Sequence, residues 1–517
     1  MNRNIVIVGG GTAGWLTALF AKKYFYKCNV TLIESQEIGI LGAGEGTTPH
    51  FINFLKAIDI PLSDLFKHAK ATVKNGIKFT DWNGDGEHFF HPFWSYEQAQ
   101  VQENRYLLAN FASTNSSLDP VCYVANISEN YRVPFVPKSV SLDGKNTWES
   151  RYEKLANYGV HFDARELANF LSSVGEQRGV NRVFSEVVGT LTDVDGYIEA
   201  LELKTGERIP CDFVFDCTGF ARLFIGKHFN TKWKDYKDYI PNDRAIPFFI
   251  DTTNEQNPLP PYTEAIAMKY GWVWKIPVQG RYGCGYVFDS SLISDEEAIA
   301  ELEEKFPVAS INRKGFSFKA GCFEQVWVKN CMAVGLSAGF IEPLEATNLW
   351  VTVDQLSYLR ESIAGVFSRD TEISKTFNEV TLQFNTTILE FLTLHYITQR
   401  RDTVYWSNAQ AKKNKPVVRD IIESSTAIAL QGNVGLKKFG NGTSFSIISI
   451  LRLLLAQKLC KLHNLNEVID SLNEYYDIAW FEENAQSIYQ SILTNTQLSA
   501  RHDEFIEMMR GLDESRI

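Results

Sequence analysis

Six residues near the start of the chain constrain its fold more than any other stretch. Gly9-Gly10-Gly11-Thr12-Ala13-Gly14 follows the β-branched run Ile5–Val8 and opens a helical pattern over Thr12–Tyr26. A second apolar run, Val30–Ile33, comes next. The whole reads strand–helix–strand, with the near-continuous hydrophobic strands of a parallel sheet buried on both faces. Each glycine of GxGxxG at such a junction has a physical reason. Gly9 permits the tight turn, Gly11 lets a pyrophosphate approach the backbone, and Gly14 lets the helix pack on the strand. The helix start, with Thr12 and Ala13 in its first turn, offers unbonded N–H groups and the positive end of a dipole to phosphates. Glu34 ends the second strand 34 − 14 = 20 residues after the last glycine, where an acid grips a ribose hydroxyl. Dinucleotide binding is therefore expected, although the motif alone does not separate FAD from NAD.

Composition narrows the class. At 517 residues with 44% apolar and 22% charged side chains, the chain is globular, not disordered or fibrous. The length admits about three ordinary domains, or one large α/β core with a smaller attached part. Lysine plus arginine total 51 and aspartate plus glutamate 62, a net charge of −11, which argues against nucleic-acid binding. The eight cysteines form no CxxC pair, and Met1–Asn4 lead straight into a strand, so reduced thiols in a cytoplasmic protein are expected. The greasiest stretch, Ile447–Ala456, is interrupted by Arg452 and is shorter than the roughly 20 residues of a membrane span. It reads as a buried helix, and no membrane association is expected. His88 and His91 would point to opposite faces of a strand, so no metal site is expected. No hydrolase or phosphate-loop motif occurs. Whether the chain forms a homo-oligomer is left open.

Along the chain, residues 70–340 alternate strand-like runs with loops, among them Ile77–Trp82, Phe213–Phe215, Trp272–Ile276 and Gly285–Phe288. Beyond residue 350, Asp354–Ser368, Ile373–Tyr396, Phe445–Lys461 and Glu467–Asn495 carry helical spacing. Residues 398–418, with Arg400, Arg401, Lys412, Lys413, Lys415 and Pro416, read as a solvated loop.

Two further segments lean to FAD. The glycine-rich loop Gly42-Ala43-Gly44-Glu45-Gly46-Thr47-Thr48-Pro49 and the run Phe213-Val214-Phe215-Asp216-Cys217-Thr218-Gly219 resemble flavin-lining loops of the FAD-dependent aromatic hydroxylase superfamily. Trp272-Val273-Trp274-Lys275-Ile276-Pro277 places Trp272, Trp274 and Ile276 on one face of a strand; physics alone would call this an aromatic core strand. This string, however, resembles the Trp-x-Trp-x-Ile-Pro signature of the flavin-dependent halogenases, and the resemblance runs along most of residues 1–410. Thr72-Val73-Lys74-Asn75-Gly76-Ile77-Lys78-Phe79 is similar to the segment carrying that family's catalytic lysine. Spacing cannot choose between Lys74 and Lys78; the resemblance selects Lys74. Phe340-Ile341-Glu342-Pro343-Leu344-Glu345-Ala346-Thr347-Asn348 is similar to the stretch carrying the catalytic glutamate, here Glu345, and the halide-binding pair, here Thr347 and Asn348.

The resemblance implies the remaining roles. Gly44, Glu45, Val187, Leu336 and Leu349 join Gly9, Gly11, Thr12, Ala13, Gly14 and Glu34 around FAD. His91 and Phe93 line an aromatic-substrate pocket, and Trp272 and Trp274 form a wall that blocks monooxygenase chemistry. A separate flavin reductase supplies FADH2; with oxygen and a halide the enzyme makes hypohalous acid, which Lys74 and Glu345 direct onto an electron-rich ring such as an indole or phenol. The expected architecture is α/β: an FAD-binding, aromatic-hydroxylase-like core over residues 1–350 with mixed sheets, and a mostly helical C-terminal part over 351–517 covering the substrate. Two positions depart from the family pattern, Ala346 for serine and Asn348 for glycine. A side chain then stands where a backbone amide was freely exposed, which predicts bromide or iodide over chloride. An FAD-dependent aromatic hydroxylase and a non-catalytic FAD-binding protein are the competing readings.

Overall fold

Local propensity and burial decide the first unit. Ile5, Val6 and Ile7 are almost wholly buried, as strands covered on both faces must be. They lie in Asn4–Val8, at the centre of a six-stranded sheet ordered Asn181–Phe184, Asn29–Glu34, Asn4–Val8, Phe213–Asp216, Cys331–Ala333, Trp327–Val328. The first five strands are parallel, and Trp327–Val328 pairs antiparallel at the edge. The register sets Val6 beside Thr31 on one side and Val214 on the other. The helix Thr12–Tyr24 returns the chain between the first two strands and buries Trp15, Leu16, Leu19 and Phe20. At about 1.5–3 kcal/mol for each large apolar side chain withdrawn from water, such burial dominates the fold.

In this computed structural model residues 3–35, 44–93, 119, 122–138, 147–253, 258–412, 445, 447–459 and 478–512 are described. The chain forms two compact units, each assembled from three segments. One comprises Met1–Lys70, Phe162–Lys237 and Phe318–Thr386; the other comprises Ala71–His161, Asp238–Ser317 and Thr387–Ile517. No helix among the described residues is long and apolar enough to cross a membrane.

The second unit is built on an eight-stranded sheet. Its main path runs Ser310–Ile311, Arg244–Asp251, Arg281–Phe288, Gly271–Val278, Thr263–Ala267, Gly76–Thr80, His88–Pro92. All neighbours on this path are antiparallel except Thr263–Ala267 beside Gly76–Thr80. Val273, Tyr286, Phe248 and Phe288 build an apolar core with the helix Asp295–Lys305. Ser294 caps that helix reciprocally with Glu297. Trp272 and Trp274 project from the strand carrying Val273, and their ring centroids stand 6.4 Å apart. The sheet admits Trp274 because position 285 on the neighbouring strand is glycine: a Cβ there would fall 2.1 Å from the indole.

The helical segments differ from expectation in instructive ways. The helix expected over Asp354–Ser368 begins earlier, at Thr347, and ends at Glu361. Glu345 (φ 64°) and Ala346 (φ 54°) turn the chain through the left-handed region, so the helix starts at once after them. Residues 398–418 are not simply a solvated loop. Val404–Ala411 is a helix capped by the Thr403 hydroxyl, and Arg400 is only 8% exposed, bonded to Asp81 and Asp402. Lys413, Lys415 and Pro416 lie outside the described residues. Ile447–Ala456 is a helix with Leu453 and Leu454 wholly buried. Arg452 is buried with them, donating to the Phe90 carbonyl and pairing with Asp119. Of the helix expected over Glu467–Asn495, the part from Ile478 is helical and runs on to Leu498; residues 460–477, with the end of the stretch expected over Phe445–Lys461, lie outside the described residues.

Candidate active site

In the first unit the glycine motif is shaped as its spacing requires. Gly9 has φ 116°, and a Cβ on it would meet the Cys217 carbonyl at 2.1 Å. A Cβ on Gly14 would fall 1.8 Å from the Gly9 carbonyl, whereas nothing lies within 4 Å of that position at Gly11. The motif is therefore closed where helix and strand touch and open where a phosphate would approach. Thr12 is buried, and its hydroxyl has no hydrogen-bond partner among the described residues. An open amide edge, a helix dipole and a buried unbonded hydroxyl suit the pyrophosphate of FAD. Glu34 lies at the strand end, with Oε2 against Gly10 and Oε1 accepting from Arg182 Nε at 2.5 Å.

Other residues expected at the flavin also belong to this unit. Gly44 and Glu45 lie on the strand Gly44–Gly46; Gly42 and Ala43 of the same loop lie outside the described residues. Burial, helped by the charge of Asp163, pushes the Glu45 carboxyl up to about 7. Val187 opens the strand Val187–Thr192. Leu336 sits in the tight turn Gly335–Ser337, which packs so closely that a Cβ on Gly335 would be 2.8 Å from Ala13. Leu349 is buried in the first turn of the helix Thr347–Glu361.

Asp216, which ends the strand Phe213–Asp216, is wholly buried, and its carboxylate is fully engaged. It accepts from the Thr218 amide and hydroxyl and from the amides of Phe224 and Ile225. It thus shapes the loop. Burial disfavours the thiolate at the neighbouring cysteines, pushing Cys211 up to about 12 and Cys217 further. The described cysteines are free, with Cys28 half-buried and the rest buried; Cys460 lies outside the described residues.

Thr347 and Asn348 are the first two residues of a 15-residue helix whose N-cap, Ala346, supplies no side-chain cap. Their amides stand at the positive end of the dipole, a setting that favours an anion. Thr347 is buried and Asn348 half-buried. Glu345, 4% exposed, immediately precedes them. Two consecutive left-handed non-glycine residues cost roughly 1–2 kcal/mol each. Such strain persists only where surroundings enforce it, and it clusters at functional sites.

The second unit holds Lys74, His91, Phe93, Trp272 and Trp274. Lys74 is wholly buried at the end of the short strand Thr72–Lys74. Its ammonium stands 5.2 Å from the centre of the Phe93 ring. The Phe93 amide bonds the Asn75 carbonyl at 2.7 Å, which explains why two residues so far apart in sequence meet. His91, 6% exposed, tilts against Phe391 at 5.5 Å. Lys78, the other candidate, instead pairs with the half-exposed Glu129 at 3.2 Å. Trp272 and Trp274 are both buried, and the Trp272 indole donates to the Tyr396 hydroxyl at 3.1 Å. Asn242 donates to the same hydroxyl and accepts from Tyr405. The signature strand is thereby held in a polar-capped aromatic wall.

Two buried histidines with no site role read from sequence bond the lysine strand. His161 bonds the hydroxyls of Thr72 at 3.0 Å and Thr263 at 2.9 Å. Burial, then the charge of Lys74, holds it well below the ordinary imidazole range. His502 bonds the backbone beside Lys74, from 429 positions along the chain. No local pattern signals such a partner.

With this geometry in hand, similarity to known proteins decides the family. Residues 4–464 match the tryptophan halogenase family model. The chain belongs to the tryptophan halogenase family. It is 33% identical over 441 residues to the tryptophan 6-halogenase SttH of Streptomyces toxytricini, covering 81% of this chain and 83% of that one. It is 32% identical to the tryptophan 7-halogenase RebH of Lentzea aerocolonigenes, covering 78% of each. The halogenase fold also superposes on the crystal structure of SttH with a TM-score of 0.84, over 98% of this chain and 100% of that one, at 29% identity. BrvH, a flavin-dependent halogenase from Brevundimonas sp. BAL3, gives 0.81 over 98% and 99%, at 26% identity. The expected α/β flavin-halogenase fold is therefore correct, and the protein is an enzyme of the flavin-dependent halogenase class.

Proposed function

We propose that this halogenase places bromide, iodide or chloride on an electron-rich aromatic ring, an indole or a phenol, using FADH2 delivered by a separate flavin reductase. When bound, reduced FAD supplies with oxygen the two-electron oxidation of the halide, so that ArH + X⁻ + O2 + FADH2 + H⁺ gives ArX + 2 H2O + FAD. Gly9, Gly11, Thr12, Ala13, Gly14 and Glu34 hold the dinucleotide; Gly44, Glu45, Val187, Leu336 and Leu349 complete its surroundings. The amides of Thr347 and Asn348 hold the halide at the helix start. The Lys74 ammonium retains hypohalous acid, either by hydrogen bonding or as a haloamine, Lys–NH3⁺ + HOX giving Lys–NH2X⁺ + H2O. Glu345 orients the electrophile and takes the proton that the ring loses on substitution. His91 and Phe93 orient the ring and so select the carbon attacked.

The observation that carries this reading is Lys74: a lysine withdrawn wholly from water, within 5.2 Å of an aromatic ring centre, on the strand the family resemblance marks. Burying an ammonium is costly, and a surface lysine would avoid it. Asn348 supports the lean to larger halides, because its side chain shares the helix start with the anion. The experiment is a reaction with supplied reductase, FAD, oxygen and an aromatic panel under chloride, bromide or iodide, read by mass spectrometry. Halogenated product supports the proposal. Hydroxylated product would favour the hydroxylase reading, and neither product would favour the non-catalytic one.

A further inference from the structure

Lys74 lies on a strand of three residues, too short to fix its own position. Thr72, Val73 and Lys74 pair antiparallel with His161, Val160 and Gly159. Each residue around Lys74 is pinned by a different part of the same unit. The Thr72 hydroxyl donates to the Pro277 carbonyl at 2.7 Å. The Asn75 amide donates to the Pro261 carbonyl at 2.7 Å, and its side chain bonds Ser128 and the Arg132 carbonyl. The Val73 amide donates not to another strand but to His502 Nε2, at 2.9 Å.

His502 is wholly buried at the start of the helix His502–Gly511. Its other nitrogen, Nδ1, stands 2.7 Å from the Leu259 carbonyl. A carbonyl only accepts, so Nδ1 carries the proton and Nε2 offers a lone pair to Val73. The ring is therefore neutral and in one tautomer, with both nitrogens used. The segment before it is stitched to residues 131–135: Val133 N–H bonds the Ala500 carbonyl, Ala500 N–H bonds Phe135, and His502 N–H bonds Tyr131. The imidazole thus reaches the lysine strand from a fixed base.

His161 on the paired strand has the same form. The Thr72 hydroxyl proton goes to Pro277, so His161 Nδ1–H must donate to Thr72 and Nε2 accept from Thr263. Neutral imidazoles suit a strand that presents a cation. An apolar side chain at 502 could fill the space at lower desolvation cost, but it would leave the Val73 amide buried without an acceptor.

We infer that His502 is a positioning residue: its neutral imidazole fixes the peptide preceding Lys74, and so holds the lysine ammonium where oxidised halogen is passed to the aromatic ring. This rests on the catalytic role proposed for Lys74, and the test separates the two claims. The variants are His502→Leu, which keeps bulk and removes both hydrogen bonds, His502→Gln, whose amide offers an acceptor and a donor at comparable separation, and Lys74→Ala. Each is assayed with FAD, reductase, bromide and indole, with a water-soluble thioether present to trap escaping hypobromous acid as sulfoxide. In His502→Leu, brominated indole per sulfoxide falls about 100-fold, as for a reacting group displaced by about 1 Å, while sulfoxide formation persists. His502→Gln recovers most of the ratio.

A merely structural role would lower both products together; that result, or a Gln variant no better than Leu, overturns the inference. Should His502→Leu not fold, nitrogen-15 NMR of the wild-type protein decides. A neutral ring protonated on Nδ1 at pH 7 supports the inference, and an Nε2–H tautomer or an imidazolium overturns it. If Lys74→Ala keeps its brominated indole, the role of Lys74 falls, and the inference with it. If Lys74→Ala loses that product while His502→Leu keeps it, only the positioning role falls.

Discussion

Replacing His502 with glutamine should change how the protein responds to acid, by an amount that follows from its burial. Desolvation pulls the imidazole from 6.5 down to about 4, against smaller opposing effects of the Leu259 carbonyl and Asp503. A depressed folded-state value means that between pH 6.5 and 4 the unfolded chain binds a proton that the native protein does not. The stability associated with His502 is then fully present above pH 6.5 and drains away as the pH falls to about 4. The gap of 6.5 − 4 = 2.5, at about 1.4 kcal/mol each, amounts to about 3–4 kcal/mol. Glutamine does not titrate, so the variant lacks this one-proton dependence. His161 contributes loss of the same sign in both proteins, which is why the difference between the two curves is the informative quantity. Urea unfolding followed by tryptophan fluorescence at pH 7.5, 6.5, 5.5 and 4.5 measures it. Wild-type protein should lose more stability than His502→Gln, the difference approaching about 3 kcal/mol at the acid end. Parallel curves would refute the buried neutral imidazole and the linkage drawn from it.

Three further outcomes are expected. Gly14→Ala drives a Cβ to 1.8 Å from the Gly9 carbonyl, so flavin affinity should fall at least about tenfold in a fluorescence titration; unchanged affinity would mean the motif does not hold the cofactor. Arg452→Met withdraws a buried guanidinium from the half-buried Asp119 and the Phe90 carbonyl and should cost about 3 kcal/mol of unfolding free energy, whereas a loss under about 1 kcal/mol would show the pair to be dispensable. Asn348→Gly removes the side chain at the helix start and should shift product from bromide towards chloride in a mixed-halide reaction; an unchanged ratio would end the proposed link between Asn348 and halide size.

Much of the frame was legible in the sequence because it depends on local pattern. The strand read as Ile5–Val8 is Asn4–Val8, the one read as Val30–Ile33 is Asn29–Glu34, and Trp272–Ile276 lies inside Gly271–Val278. The even spacing of Trp272 and Trp274 gave their shared face correctly. What escaped depends on distant partners. Arg400 sits in a charged run, yet Asp81 and Asp402 draw it into the interior, and Asp81 is 319 positions away. The start of the helix at Thr347 escaped because nothing local reveals two left-handed residues in succession at 345 and 346. Lys74 could not be told from Lys78 by spacing; Lys74 is wholly buried beside Phe93, whereas Lys78 is half-buried and paired with Glu129. His502 gave no signal, since its meaning lies in an amide at the other end of the chain. The two compact units likewise interleave three segments each, whereas a shift in composition marks a single point along a sequence.

The central claim is that Lys74 carries oxidised halogen to the ring, and Lys74→Ala tests it most directly. With reductase, FAD, oxygen, bromide and indole supplied, the variant should bind flavin as wild type does and still generate trappable hypobromous acid, yet yield no regioselectively brominated indole. Wild-type yield and regiochemistry in that variant would contradict the account.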